Sequence, residues 1–105
     1  MTLSKIIEVI EELNGKLKGS YSDFKGIYLY GSAVREDFSE DSDIDVVALF
    51  DEINYDKELD IYGITGELEC KYDVFFDIQP MTKQDLERNS IYFREVTLKG
   101  KFYAV

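Results

Sequence analysis

The sequence predicts a mixed α/β domain, a small sheet with flanking helices. Three observations lead there. The first stretch carries apolar residues at helical spacing. Two later stretches, Phe24 to Tyr30 and Asp43 to Phe50, read as strands. Further helical and strand-like segments then alternate to the end. At 105 residues the chain has room for one domain. It shows no repeat, linker or low-complexity segment, so residues 1–105 are read as a single unit.

Leu3 to Leu17 is the clearest helix. Leu3, Ile6, Ile7, Ile10, Leu13 and Leu17 fall on one face, and Glu8, Glu11 and Glu12 on the wet side. Ser4 or Thr2 caps its start, and Gly19 suits its stop. Phe24 to Tyr30 follows as a strand, with Ile27 and Leu29 as core candidates and Tyr28 and Tyr30 at the core or its rim. Ala33 to Glu36 suits a short helical turn, and Asp37 to Asp41 a charged connection. Asp43 to Phe50 is the second strand, and its run Val46-Val47-Ala48-Leu49-Phe50 fits a strand covered on both faces. Asp51 to Asp56 is a loop. Lys57 to Lys71 is ambiguous: Leu59, Tyr62 and Leu68 share a helical face, but Gly63 and Gly66 weaken a helix. Tyr72 to Ile78 is the third strand, ended by Pro80. Thr82 caps a short helix to Arg88, and Ser90 to Leu98 is another, closed by Gly100. Phe102 to Val105 suits a short last strand.

Composition narrows the chemistry. The chain has no histidine, which removes His-based triads and most zinc sites. Its single cysteine, Cys70, excludes an intramolecular disulfide. A formal charge of −10 argues against broad nucleic-acid binding, which needs clustered Lys and Arg. The same charge keeps a protein soluble and steers basic partners. No apolar run approaches a membrane span, and the charged, amphipathic first stretch is no signal peptide, so a cytoplasmic setting is the default expectation.

The chemistry-bearing stretch runs from Ile27 to Leu49. Gly31 supplies a turn without a Cβ, which lets the backbone approach a ligand closely. Ser32 puts a hydroxyl beside the turn amides, a concavity suited to anions. Asp43 and Asp45 project from one face of an extended chain. Two like charges about 4 Å apart repel by roughly 4 kcal/mol at an effective dielectric near 20. A divalent cation relieves that repulsion, and magnesium accepts a couple of carboxylates with phosphate and water completing its shell. Taken singly these features are ordinary: Gly-Ser is a common turn, and acids on a strand face are usually solvated. Arg35 suits a phosphate ligand or a plain surface residue. Asp41-x-Asp43-x-Asp45 fails as a calcium loop because Val46 stands where that loop needs glycine. No Gly-x-Gly-x-x-Gly or Gly-Lys-Ser/Thr motif is present.

Gly31-Ser32, ten intervening residues and Asp43-Ile44-Asp45 resemble the signature of the DNA polymerase β-like nucleotidyltransferase superfamily. The short chain resembles its minimal nucleotidyltransferase branch, the antitoxin-type proteins encoded beside helical partner toxins of the HEPN type. Arg35 fits the basic residue often found after the Gly-Ser pair, whereas Glu36 departs from a frequent glycine and adds negative charge. The resemblance implies the nucleotidyltransferase fold and favours a helix within Lys57 to Lys71. It implies Mg²⁺ held by Asp43, Asp45 and a third acid on a later strand that helps activate the attacking hydroxyl. Asp77 is the preferred third acid; Asp73 competes, since four residues along a strand keeps the same face. Gly31, Ser32 and Arg35 would meet the phosphates of an NTP, with ATP the expected donor and a tyrosine of the partner toxin the expected acceptor. Two other readings stay open: a binding module that neutralises a helical partner by contact alone, and a subunit whose acceptor site forms on homo-oligomerisation.

Overall fold

The computed structural model describes residues 2–31 and 43–104. The expected turn at Ala33 to Glu36 and the connection at Asp37 to Asp41 lie outside the described residues, as do Ser32 and Arg35.

Helix α1 spans Leu3–Ser20, where the Thr2 hydroxyl accepts from the Lys5 amide at 3.2 Å. Ile6, Val9, Ile10, Leu13 and Leu17 are buried. Leu3 is exposed and Ile7 only half-buried, so the apolar face is narrower at its start than the spacing suggests. The helix runs one residue past Gly19 and closes where the Tyr21 amide donates to the Leu17 carbonyl at 2.9 Å.

Strands β1 (Phe24–Tyr30) and β2 (Ile44–Phe50) pair antiparallel, with Tyr30 opposite Asp45. Helix α2 spans Tyr55–Tyr72, capped by Asn54, and carries the chain back so that β3 (Phe76–Thr82) lies parallel to β2. Two short helices follow, α3 (Lys83–Arg88, capped by Thr82) and α4 (Ser90–Lys99). Strand β4 (Lys101–Ala104) returns antiparallel to β1, giving the order β3-β2-β1-β4.

The sheet separates two apolar layers. On one face α1 and α2 pack Ile6, Val9, Ile10, Leu13, Ile61 and Leu68 against alternate residues of the strands, among them Ile27, Val46 and Ala48. On the other, Val47 and Leu49 meet Leu86 of α3 and Val96 of α4, with Tyr28, Tyr30 and Tyr92 at the margin. All five residues from Val46 to Phe50 are buried, as expected for a strand covered on both sides. At the far end of β2, Lys57 Nζ donates to both carboxylate oxygens of Asp23 and to the Glu52 carbonyl, and stands 4.4 Å from the centre of the Phe50 ring. This ties the first turn of α2 to the β1 entrance.

Three expectations are corrected. The third strand begins at Phe76, not Tyr72, because α2 continues through Tyr72 and ends on Asp73 in the left-handed region (φ 54°). Pro80 does not end it: β3 runs to Thr82, and as an edge strand it has an open side where a missing N–H breaks no ladder bond. In α2 the buried set is Ile61, Thr65 and Leu68, whereas Leu59 and Tyr62 face outward. Gly63 and Gly66 are both held within this helix. Among the described residues, no helix is long and apolar enough to cross a membrane.

Candidate active site

Because β2 and β3 run parallel, their first residues lie at the same end of the sheet. Asp45 and Asp77 are register partners there. Parallel partners point to the same side, and neighbouring strands stand about 4.8 Å apart. The two carboxylates therefore share the face that carries Val47 and Leu49 further along. Asp43 is exposed just before β2, two residues from Asp45. Gln79 Nε2 donates to Asp77 Oδ1 at 3.1 Å and steadies that carboxylate.

Gly31 ends β1 beside this pair. Its φ is +76°, a conformation that L side chains rarely adopt. A Cβ there would overlap the Asp45 carboxylate, with Asp45 Cγ only 3.1 Å away. The sequence places glycine here because the backbone must pass directly against Asp45. Asp73, the competing third acid, caps α2 and stands outside β3. The strand periodicity that would align it with Asp77 does not apply.

Two residues that sequence reasoning left at the core or unremarked belong to the site's wall. The hydroxyls of Tyr30 and Tyr92 are 2.8 Å apart, and their rings meet edge to face at 5.8 Å. Tyr30 is the register partner of Asp45 on the opposite flank from Asp77. Burial, the hydrogen bond to Tyr92 and the charges of Asp45 and Asp77 push the Tyr30 phenol far up. Burial raises Tyr92 most, its bond to Tyr30 opposes that, and the charges of Asp77 and Asp45 add to the rise. Both rings stay neutral and protonated, and both feel the acid pair. No local signal joins them, since 62 residues separate the two in sequence.

Among the described residues no three acid or thiol side chains gather closely enough to hold an ion together. What the fold does bring side by side is the Asp45–Asp77 pair, with Gly31 packed on one of its members. That is an acidic, hard-oxygen corner at a strand end, between Gly31 and Asp43 in the fold.

Comparison with known proteins bears on the family and the fold. A Methanocaldococcus jannaschii protein named "Putative protein adenylyltransferase" is 33% identical over 98 residues, covering 87% of this chain and 97% of its own. A crystal structure of a toxin–antitoxin with AMP-PNP superposes with a TM-score of 0.63 at 20% identity, covering 100% of this chain and 75% of that one. The structure of a tri-AMPylated Shewanella oneidensis HEPN toxin in complex with an MNT antitoxin gives a TM-score of 0.52 at 17% identity, covering 98% and 70%. These two likenesses concern the fold. The family described as "Polymerase beta, Nucleotidyltransferase" matches residues 6–99. The chain belongs to the polymerase β nucleotidyltransferase family, and its class of activity is nucleotidyl transfer.

Proposed function

We propose that this protein transfers the AMP moiety of ATP to a hydroxyl on a partner protein, a helical toxin that the modification silences. The observation that carries the reading is the lateral pairing of Asp45 with Asp77, with Gly31 pressed against Asp45. The adenylyltransferase name of the M. jannaschii relative and the AMPylated toxin beside the Shewanella antitoxin support the choice of nucleotide and acceptor.

The donor set suits Mg²⁺: hard carboxylate oxygens, no histidine in the chain, and a corner kept open by the missing Cβ of Gly31. The Asp45–Asp77 pair would hold the metal, with Asp43, which does not gather with them in the structure, drawn in as the third ligand; the metal when bound neutralises the phosphates and the charge developing on the attacking and leaving oxygens. The chain's own residues do the rest. Gly31 and Ser32 would hold the outer phosphates through turn amides and a hydroxyl, and Arg35 would add a positive charge, roles carried by the sequence motif. The acceptor oxygen bonds to the α-phosphorus as the bond to the bridging oxygen breaks and pyrophosphate leaves. Asp77 takes the proton of the acceptor hydroxyl. Tyr30 and Tyr92 close the flank of Asp45 against bulk water. The need for ATP sets the reaction in the cytoplasm.

Label transfer tests the reading. The protein is mixed with Mg²⁺, ATP labelled at the α-phosphate and host lysate. A labelled protein band is expected, absent with the folded Asp43→Asn/Asp45→Asn variant. No band with any of the four NTPs, while the partner still co-purifies, would overturn transfer in favour of neutralisation by contact alone.

A further inference from the structure

Helix α2 is apolar on two sides. Its inner side packs Ile61, Thr65 and Leu68 into the core. Its outer side carries Tyr55, Leu59 and Tyr62, which are 73%, 50% and 44% exposed. These three fall at i, i+4 and i+7, and Gly66 continues the line at i+11. Exposed apolar residues scattered singly are normal, whereas these three lie together on one side of one helix.

The glycines sharpen this. A glycine inside a helix is costly relative to alanine. Nothing lies within 4 Å of a Cβ added at Gly63 or Gly66, so the fold itself has no need of them. They leave room for another backbone to come close. Gly15 and Gly19 of α1 are open too, but Lys16 and Lys18 surround them instead of apolar side chains.

Charge selects the occupant. Asp56 and Glu67 border the row on one shoulder and Glu58 on the other, and among the described residues none of the three has an ion-pair partner. Lys57 and Lys71, the two cations of α2, are already taken by Asp23 and Glu12. A second copy of this −10 chain would set like charges against each other across such a face. Anionic lipid and nucleic acid are opposed in the same way.

The geometry points to the outer face of α2 as the docking surface for a helix of the partner protein, one whose apolar stripe is flanked by lysine and arginine. The inference rests on the partner protein proposed above and adds where it sits. An 18-residue helix is about 27 Å long. It leads to the end of the sheet where β3 begins and Asp77 lies, past the exposed Phe75. A helix laid along it reaches the same end of the sheet as the acid pair, on the opposite face.

The test uses two synthetic helical peptides with one leucine stripe, flanked either by Lys and Arg or by Glu. Each is titrated into the isotope-labelled full chain and followed by amide NMR. The basic peptide is expected to shift amides of α2 from Tyr55 to Cys70 and to bind about tenfold more tightly than the acidic one. Leu59→Lys should weaken it about tenfold. Gly63→Ala/Gly66→Ala should raise the thermal midpoint yet weaken binding several-fold, a pairing of effects that misfolding cannot produce. Equal binding of both peptides, shifts centred on Ile91 and Leu98 of α4, no shifts at all, or self-association of the chain through α2 would each overturn the inference. No nucleotide takes part, so a failure here is read separately from a failure of transfer.

Discussion

Replacing Gly31 with alanine perturbs the site through a single methyl group. The residue sits at φ +76°, where an L side chain costs about 1–2 kcal/mol. That is a modest fraction of a small domain's stability, so the variant should fold and unfold cooperatively with a lower denaturant midpoint. The larger effect falls on chemistry. The new Cβ would occupy the space of an Asp45 carboxylate oxygen, so the carboxylate must swing aside or the strand end must shift. A displacement of about 1 Å at a reacting centre costs on the order of 100-fold in rate. Urea unfolding and α-phosphate label transfer, run on the same preparations, separate the two effects. Gly15→Ala is the control, since that helical position is open and should gain about 0.5–1 kcal/mol with unchanged transfer. A Gly31→Ala protein that loses the expected stability but transfers at the wild-type rate would refute the contact between Gly31 and Asp45 as part of the site.

Further outcomes follow from the same structure. Asp77→Asn should abolish label transfer, while Asp73→Gly should leave it intact and raise stability by about 0.5–1 kcal/mol by relieving the left-handed cap; the reverse pattern would make Asp73 the third acid. Gly100→Ala should cost about 1–3 kcal/mol in chemical denaturation, because its Cβ would press on the carbonyl oxygens of Val96 and Leu29; an unchanged midpoint would contradict the close packing of the α4–β4 junction on β1. Burial pushes the Asp23 carboxyl up, but Lys57 and the Glu52 amide outweigh it and hold it below its ordinary value. A carboxylate depressed on folding stabilises at neutral pH, and that gain fades as pH falls below about 3.9 and through the lower folded value. Asp23→Asn should therefore be less stable than wild type at pH 7 in urea unfolding, with the gap closing in acid; a gap that persists would show that charge is not its cause.

The parts of the fold legible in the sequence are those where burial is one-sided or complete. The stripe of α1 and the unbroken run of β2 each have one partner layer or two, and their patterns say so. Helix α2 is apolar on both faces, so no single period describes it, and its outward Leu59 and Tyr62 pass for core. The junction before β3 is hidden because an aspartate, Asp73, takes a left-handed cap where glycine would have signalled the stop. Pro80 reads as a terminator only until the strand is known to lie at an edge. In the candidate site, Gly31, Asp43 and Asp45 are legible because a short motif fixes their spacing. Asp77 needs the parallel register to be placed, and the Tyr30–Tyr92 pair needs the tertiary fold.

The parallel pairing of β2 with β3 also orders events during folding. Gly31 meets Asp45 within a β1–β2 hairpin, a local contact between neighbouring strands. Asp77 arrives only after the chain has wound α2 and closed a long crossover, and such non-local pairings form late. A partly folded chain thus holds one carboxylate of the pair without the other. The corner is complete only once this pairing across α2 has formed, so a molecule folded as far as the β1–β2 pair carries half of it.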